Sequence, residues 1–326
     1  MAKTAAPSSP SSLSPTEARA LSRRVTLLSM SAACLLVAIK AGAWAASGSL
    51  ALLASLTDSG LDLLASCATF YAVRYAASPP DAEHRFGHGK AEAFASLLQA
   101  GLVFASAALI GQEAIRGLIT PRPVAAGGWA IVVMVISTIV TLGVVSAQTY
   151  VLRRTASIAV AGDRAHYAVD LASNLAALVG IAGGAWLGMH ALDGAAALVV
   201  TGLLLWGAIG VFREASEQLL DHEISEHDRA AAVAAVLEDP QISDVHQLRT
   251  RASGPWLHMQ MHLELDPDLT LDAAHKVMVA AEARVLARFP SADILMHADP
   301  RGRAEAHGGV FGEGSAGLDK QVRDAL

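Results

Sequence analysis

Six long apolar segments constrain the fold of this chain more than any other feature of its sequence. They cover roughly residues 25–46, 50–75, 91–118, 129–152, 165–190 and 194–212. An α-helix of about 20 apolar residues crosses the hydrocarbon core of a membrane. Only 17% of the 326 residues are charged, whereas soluble domains carry about 25%. We therefore predict a membrane domain of six transmembrane helices.

Lysine and arginine are distributed unevenly over the links between these segments. Arg23 and Arg24 precede the first segment, Lys90 lies in the second link, and Arg153 and Arg154 lie in the fourth. The first and fifth links carry neither residue type. Because positively charged links stay on the cytoplasmic side, we expect both termini in the cytoplasm. The Ala-rich composition and the short chain favour a bacterial inner membrane.

After the sixth segment the pattern becomes that of a small soluble domain. Apolar and polar residues alternate over 257–265, as in a half-buried strand. Helical patterns cover 226–237 and 271–289, and shorter strand patterns cover 245–251 and 293–297. The order αββαβ predicts a cytoplasmic α+β domain.

These patterns divide the sequence into four regions. Residues 1–20 and 301–326 are expected to be disordered tails, since they contain little that could form a core. Residues 21–214 form the predicted six-helix transmembrane domain, and residues 215–300 form the predicted cytoplasmic domain.

Two pairs of metal-ligating residues lie inside the predicted membrane helices. Asp58 and Asp62 belong to the second helix, and His166 and Asp170 belong to the fifth. An ionised side chain at the bilayer centre costs at least about 2.5–3.5 kcal/mol, so such residues usually face a functional cavity. Residues four apart share a helical face. Two such faces turned together would offer three carboxylates and one imidazole, which suits Zn²⁺ and tolerates Fe²⁺, Mn²⁺ or Cd²⁺.

The alternative for these acids is an ion pair with a buried cation such as Lys40, which supplies only one positive charge. A metal site also suggests a way to couple transport. Because protons compete with metal ions for the same lone pairs, a site exposed to each side of the membrane in turn would exchange metal for protons. We therefore predict metal–proton antiport.

Two further groups of residues have the composition of metal sites. Asp81, His84 and His88 lie at i, i+3 and i+7 in the link between the second and third helices, where incidental solvated histidines are the alternative. The soluble domain holds several more potential ligands, for which solvated surface histidines are again the alternative. They are His246, His258, His262, His275, His297 and Asp299.

Several functional classes are excluded by the sequence. The net charge of −6 does not suggest a nucleic-acid partner. The Gly-His-Gly-Lys run ending at Lys90 lacks the first glycine of a phosphate loop, and Ala91 stands where Ser or Thr would bind magnesium. We therefore expect no nucleotide, and we find no nucleophile–base pair that would indicate an enzyme.

Five segments resemble the cation diffusion facilitator family, and they occur in the same order over residues 20–300. They are GSLALLASLTDSGLDLLAS, HRFGHGKAEA, AHYAVDLASN, VHQLRTRASG and ILMHADP. The similarity is closest to the bacterial zinc and ferrous-iron efflux transporters of this family. It implies a homodimer in which each protomer has six transmembrane helices and a cytoplasmic metallochaperone-like domain.

The resemblance also implies roles for individual residues. The transport site would be Asp58, Asp62, His166 and Asp170, and the loop site would be Asp81, His84 and His88. A binuclear zinc site at the dimer interface of the cytoplasmic domain would use His246, His262, His275, His297 and Asp299. Lys90 and Asp221 would form a salt bridge between the two domains, while His258 matches no family ligand.

The sequence and the resemblance together predict a Zn²⁺/H⁺ antiporter that works by alternating access. Its partners would be a divalent metal ion, protons, the lipid bilayer and a second copy of the chain. Zn²⁺ would be both the transported ion and a structural or regulatory ion in the cytoplasmic domain. The alternatives are an antiporter whose physiological ion is Fe²⁺ or Mn²⁺, and a membrane-bound metal sensor or scaffold that transports nothing.

Overall fold

The computed structural model describes residues 14–48, 50–119, 128–187 and 191–303. The backbone within this part of the chain forms two compact units, which meet in sequence between Glu217 and Gln218. The first unit is entirely helical, and the second contains helices and one sheet. The predicted combination of a helical membrane domain with a C-terminal α+β domain is therefore confirmed.

Six helices of 25 to 33 residues make up the first unit. They are α1 (Pro15–Ser47), α2 (Leu50–Ala76), α3 (Ala91–Ile119), α4 (Gly128–Leu152), α5 (Ile158–Leu187) and α6 (Ala191–Leu219). At a rise of 1.5 Å per residue, even the shortest is roughly 37 Å long, which exceeds the thickness of a bilayer core. A search limited to the described residues finds four of them long and apolar enough to cross a membrane, namely α1, α3, α4 and α6.

Helices α2 and α5 carry the ionisable residues of the predicted transport site. Asp58 and Asp62 lie in the middle of α2, and Asp163, His166 and Asp170 lie in the first half of α5. Both helices are long enough to span, at 27 and 30 residues. The residues that could form a site therefore lie within helices of membrane-spanning length.

The helices extend beyond two of the predicted domain boundaries. Helix α1 begins at Pro15, so residues 15–20 are helical, although we assigned them to a disordered tail. Proline is favoured in a first helical turn, and Ser14 before it is a residue type that caps helices. Helix α6 continues to Leu219, past the boundary predicted at 214. Residues 1–13 and 304–326 of the predicted tails lie outside the described residues.

Helix α5 contacts three other helices of the first unit, α2, α3 and α4. Its contact with α3 is close at Gly162. A Cβ atom added there would lie 3.1 Å from Cα of Ser96 and 3.2 Å from Cβ of Gln99. Small residues let helix backbones approach in a membrane, so Gly162 sets the distance between α3 and α5.

The second unit consists of α7 (Glu226–Leu237), β1 (Asp244–Ser253), β2 (Trp256–Leu265), α8 (Leu271–Arg288) and β3 (Ala292–Pro300). This order confirms the predicted αββαβ pattern. The sheet has the strand order β1-β2-β3, with β2 antiparallel to β1 and parallel to β3. Helices α7 and α8 each begin at a hydroxyl cap, Ser225 and Thr270, whose oxygen accepts a backbone N–H in the first turn.

The hydrophobic core of this unit lies between the helices and one face of the sheet. Val236 from α7, Leu263 from β2 and Val285 from α8 are fully buried within it. Residues on a strand alternate between the two faces, so the neighbours of Leu263, His262 and Glu264, lie on the opposite face. The sheet thereby separates an apolar face, which packs, from a polar face, which carries the candidate ligands.

Candidate metal sites

Helices α2 and α5 meet at Asp62 and His166. Nε2 of His166 lies 2.9 Å from Oδ1 of Asp62, and the two side chains are 6% and 14% exposed. A ligand atom of Asp170 joins them, so that all three atoms lie within 4.8 Å of one another. Since an ionised carboxylate only accepts hydrogen bonds, Nε2 of His166 is the donor in this contact. Nδ1 of the same ring is buried and has no hydrogen-bond partner in the described part of the chain.

Asp58, the fourth predicted ligand, is not part of this close cluster. It lies one turn before Asp62 on α2 and is exposed. Nζ of Lys40 from α1 donates to Oγ of Ser59 at 2.5 Å and to O of Ser55 at 3.3 Å. The structure thus brings together three of the four predicted ligands and holds Lys40 on the backbone and hydroxyl of α2.

A buried carboxylate that the sequence analysis did not single out lies one turn before His166. Asp163 accepts hydrogen bonds from Nε2 of Gln148 at 2.8 Å and from Nε2 of Gln99 at 3.3 Å. Gln148 also donates to Ser29 of α1, and Gln99 donates to Thr69 of α2. This buried network joins helices α1 to α5. The sequence signal was available, since Asp163 stands three residues before His166, but we began the apolar segment at residue 165.

A second overlooked acid, Glu92, lies at the start of α3. Its Oε2 accepts a hydrogen bond from Oγ of Ser157 at 2.6 Å, and Glu92 is 3% exposed. Ser157 immediately precedes α5. A carboxylate beside the N-terminus of a helix is favourable because unpaired N–H groups point toward it. Glu92 therefore fixes the beginning of the helix that carries His166 and Asp170.

The loop between α2 and α3 brings Asp81, His84 and His88 together. Oδ2 of Asp81 lies 3.1 Å from Nε2 of His88, and Oδ1 lies 3.3 Å from Nδ1 of His84. The ring of His88 is buried, whereas Asp81 and His84 are exposed. Gly87 has φ of +79°, a conformation that suits glycine, and its N–H bonds to O of His84, which turns the chain back between the two histidines.

Backbone hydrogen bonds favour the ionised form of the Asp81 carboxyl, which is the form that binds cations. Its Oδ1 accepts the backbone N–H groups of Glu83 at 2.9 Å and of His84 at 2.7 Å. These hydrogen bonds, the one from His84 first, lower the pKa of the Asp81 carboxyl below its usual value, and the adjacent imidazoles act in the same direction. Asp81 is therefore ionised at neutral pH and available as a ligand.

The polar face of the sheet carries the cytoplasmic cluster. Oδ2 of Asp299 lies 3.0 Å from Nε2 of His246 and 2.9 Å from Nδ1 of His262. Its Oδ1 lies 3.3 Å from Nε2 of His297. Three of the five predicted ligands, His246, His262 and His297, thus surround a fourth, the carboxylate of Asp299. The fifth, His275, is exposed on α8 and is not part of this cluster.

The charge state of this cluster favours metal binding. Burial lowers the pKa of His262, and the neighbouring imidazoles of His297 and His246 lower it further. The hydrogen bond with Asp299 opposes this shift but does not reverse it. Burial alone would raise the pKa of Asp299, but its hydrogen bond with His262 and the surrounding imidazoles lower it overall. At neutral pH the cluster therefore combines a neutral His262 with an ionised Asp299, and these are the forms that bind metal.

The remaining predicted contact, between Lys90 and Asp221, would join the two units and stays a prediction. Within the second unit, Asp221 has φ of +56°, and its Oδ2 lies 3.2 Å from Nη1 of Arg251. His258, which matched no ligand of the family, pairs its Nδ1 with Oδ2 of Asp293 at 3.2 Å.

Sequence comparisons agree with this architecture. The profile of the cation efflux transmembrane domain matches residues 26–220, and that of the cation efflux protein cytoplasmic domain matches residues 224–301. The chain is 40% identical over 277 residues to the cation-efflux pump FieF of Cronobacter sakazakii, which covers 85% of this chain and 92% of that protein. It is 40% identical over 268 residues to FieF of Citrobacter koseri, and this match covers 82% of this chain and 89% of that protein.

A comparison with solved structures found the metal-bound C-terminal domain of the CzcD transporter from Thermotoga maritima. It is 24% identical, with a TM-score of 0.23, and covers 24% of this chain and 92% of that domain.

The apolar helices, the ligand clusters and the matched domains define a membrane transporter for divalent metal ions rather than an enzyme. The chain belongs to the cation diffusion facilitator, or cation efflux, family, as the resemblance predicted. Its bacterial relatives and its apolar spans indicate the inner membrane.

Proposed function

We propose that the protein exports Zn²⁺ in exchange for protons through a site formed by Asp58, Asp62, His166 and Asp170. The observation that supports this most strongly is the contact between Asp62 and His166, which joins two membrane helices at buried ligand atoms. Three carboxylates and one imidazole match the ligand preferences of Zn²⁺. Asp58 completes the set by a small approach of its side chain, since it lies one turn from Asp62 on the same helix.

Proton exchange follows from the same buried contact. In the metal-free state the proton on Nε2 of His166 lies between the imidazole and Asp62. A metal ion that binds both residues must displace this proton, because metal and proton use the same lone pairs. When the ion leaves, the carboxylates and the imidazole take up protons, since uncompensated charges are costly in the membrane. Alternate exposure of the site to the two sides couples these exchanges.

The histidine in the ligand set carries the proposed preference for Zn²⁺. Imidazole suits zinc, iron and copper, whereas sites built from oxygen ligands alone suit manganese and magnesium. His166→Asp would replace the only nitrogen ligand by a carboxylate. We expect this variant to shift preference toward Mn²⁺ in a competition assay, and an unchanged preference would contradict the assigned role of His166.

The cytoplasmic domain is proposed to bind zinc between two copies of the chain. The cluster of His246, His262, His297 and Asp299 lies on the polar face of the sheet, whereas α8, which carries His275, packs on the other face. His275 is therefore best explained as a ligand offered across an interface to the cluster of a second copy. Dimer formation that depends on zinc and is lost in His275→Ala would support this assignment.

The proposed arrangement in the membrane has both termini in the cytoplasm, so that the C-terminal metal-binding domain lies there as well. The loop with Asp81, His84 and His88 would then lie on the cytoplasmic side. Its ligands could bind zinc before the ion reaches the membrane site. Lys90 is proposed to pair with Asp221 and to hold the transport domain to the cytoplasmic domain.

Transport in proteoliposomes tests this proposal. Zinc accumulation would be followed with an internal fluorescent indicator while the pH gradient is imposed, removed or inverted. We expect flux to rise with an opposing proton gradient and to reverse when that gradient is inverted. Flux that ignores the gradient would refute antiport. If zinc, iron and manganese all bind but none crosses, the protein is a sensor or scaffold.

A further inference from the structure

Strand β1 contains a β-bulge directly after His246. The pairing of β1 with β2 is regular up to His246 and again from Arg249 onward, and its register shifts between the two. Two residues of β1, Gln247 and Leu248, are therefore placed opposite a single residue of β2, Met261. An extra residue of this kind bends its strand and increases the local twist. The bulge thus changes the geometry of β1 at the point where the strand supplies a predicted metal ligand.

Gln247, rather than Leu248, is the extra residue of the bulge. Leu248 lies in the hydrophobic core together with Val245. These two residues are three apart, whereas residues on one face of a regular strand are two apart. Without Gln247, the remaining residues of the segment would alternate strictly, with Val245 and Leu248 in the core and His246 and Arg249 on the polar face.

The backbone of Gln247 is held in an unfavourable conformation. Its φ is +50°, which lies in the left-handed region. Glycine adopts this region readily, but it costs other residues free energy. Conformations of this kind persist only where the surrounding structure imposes them, and they are concentrated at functional sites. A strained residue directly beside a metal ligand therefore indicates a function for the bulge.

The contact made by His246 shows what that function is. The register places His297 of β3 in line with His246, whereas Asp299 lies two residues further along β3. Neighbouring strands are about 4.8 Å apart, so β1 and β3 are roughly 10 Å apart across β2. Nε2 of His246 nevertheless lies 3.0 Å from Oδ2 of Asp299. The two side chains therefore reach each other across β2 and along the sheet, whereas side chains of regular strands stand roughly perpendicular to it.

We propose that Gln247 is a positioning residue, whose left-handed backbone maintains the bulge that directs the imidazole of His246 toward Asp299. This inference rests on the zinc cluster proposed above for the cytoplasmic domain. Gln247 acts through its backbone conformation, and its amide group is not a ligand. Ligands that already point in the productive direction need little reorganisation when the ion binds. The bulge therefore raises the zinc affinity of the cluster.

The zinc affinity of variants at residue 247 tests this inference. Purified full-length protein would be titrated with zinc against a fluorescent chelator, in a background of Asp62→Asn and Asp81→Asn that weakens the other two candidate sites. Glycine adopts a left-handed φ freely, whereas β-branched valine does not. We expect Gln247→Gly to bind zinc at least as tightly as the parent and Gln247→Val to bind about tenfold more weakly. Equal affinities of the two variants would overturn the proposal.

Deletion of Gln247 separates the direction of His246 from the folding of the domain. The shortened strand keeps its alternation of core and polar residues, so the melting temperature of the metal-free protein should match or exceed that of the parent. Zinc affinity should nevertheless fall about tenfold. Gln260→Val is the matched control, since it introduces valine on the same sheet at a paired position without a positive φ, and it should bind zinc as the parent does. Parental zinc affinity in the deletion variant would contradict the role of the bulge.

A third variant, His246→Ala, distinguishes failure of this inference from failure of the zinc cluster itself. We expect it to lose zinc binding in the same titration. Parental binding by His246→Ala would show that the cluster does not use this ligand, and both proposals would then fall. Loss of zinc in His246→Ala, together with equal affinities of Gln247→Gly and Gln247→Val, would leave the cluster standing and refute only the role of Gln247.

Discussion

Nε2 of His166 lies 2.9 Å from Oδ1 of Asp62, although 104 residues separate the two in sequence. The contact holds α5 against α2 at the level of the candidate transport site. It also means that the metal-free site is closed by a hydrogen bond that an incoming ion must replace. The same pair of residues therefore joins the two helices and takes part in the proposed exchange of protons for metal.

The close contact of α5 with α3 predicts a position-specific effect on stability. Gly162→Ala places a methyl group 3.1 Å from the backbone of Ser96, so atoms of α3 or α5 must shift to accommodate it. We expect a loss of about 1–3 kcal/mol, the usual cost of overpacking. Thermal unfolding of the purified protein would measure it.

Gly143→Ala in α4 is the matched control for this change. No atom lies within 4 Å of the added Cβ, among the residues that the structure describes. Alanine is favoured over glycine in a helix by about 0.5–1 kcal/mol, so this variant should be as stable as the parent or slightly more so. An equal effect of the two substitutions would contradict the assigned role of Gly162.

The buried network around Asp163 predicts that two substitutions of this residue destabilise the protein to different degrees. Asp163→Ala would leave the amide groups of Gln99 and Gln148 without their acceptor, and each unsatisfied buried donor costs about 1–3 kcal/mol. Asp163→Asn keeps one acceptor oxygen and should cost less. Unfolding measurements on both variants would check the order, and a milder effect of alanine than of asparagine would refute it.

Much of this architecture was predictable from the sequence because it depends on local periodicity. Apolar runs of helical length indicated the membrane helices, and strict alternation indicated β2. The i, i+4 spacing of Asp58 with Asp62 showed that they share a face. Spacing alone did not show that Asp62, rather than Asp58, would contact His166, since that depends on how two distant helices pack.

The features that sequence reasoning missed depend on tertiary contacts. Asp163 precedes the apolar segment that begins at residue 165, and its partners, Gln99 and Gln148, come from other helices. Asp244 and Glu264 are cross-strand neighbours only because β1 and β2 pair in one particular register. Pairing between distant strands cannot be deduced from the pattern of either strand alone.

The cytoplasmic cluster predicts a dependence of stability on pH in the metal-free protein. The pKa of His262 is lowered in the folded state, so the unfolded chain binds its proton more readily. Stability should therefore fall as the pH drops through the ordinary histidine value of about 6.5 toward the lower folded value. The lowered pKa of Asp299 extends the loss below its ordinary value near 4.

Calorimetry would follow the unfolding of the cytoplasmic domain at several pH values from about 7.5 to about 5. The change in stability over this range measures the contribution of His262. His262→Gln cannot titrate in this range and should show a flatter profile than the parent. The same slope in both proteins would exclude His262 as the source.

The loop site predicts that the negative charge of Asp81 contributes more to zinc affinity than that of the neighbouring Glu83. Asp81→Asn retains an oxygen that can accept the backbone N–H groups of Glu83 and His84, so the loop should keep its shape. Loss of the carboxylate should weaken zinc binding to the loop by at least about tenfold, or roughly 1.4 kcal/mol. Glu83→Gln removes a neighbouring exposed charge and should bind as the parent does. Titration calorimetry would compare them, and equal affinities in all three proteins would contradict a site at Asp81.

Zinc flux through Asp62→Asn tests the central claim most directly. Asparagine keeps the size of the side chain and can still hydrogen-bond to His166, but it removes a charged ligand. Breaking a buried charge contact costs about 3–5 kcal/mol, so we predict that proton-driven zinc flux in proteoliposomes falls roughly a hundredfold or more. Asp268→Asn, outside all candidate sites, should transport at the parental rate. Parental flux in a well-folded Asp62→Asn protein would show that zinc does not cross the membrane through the site between α2 and α5.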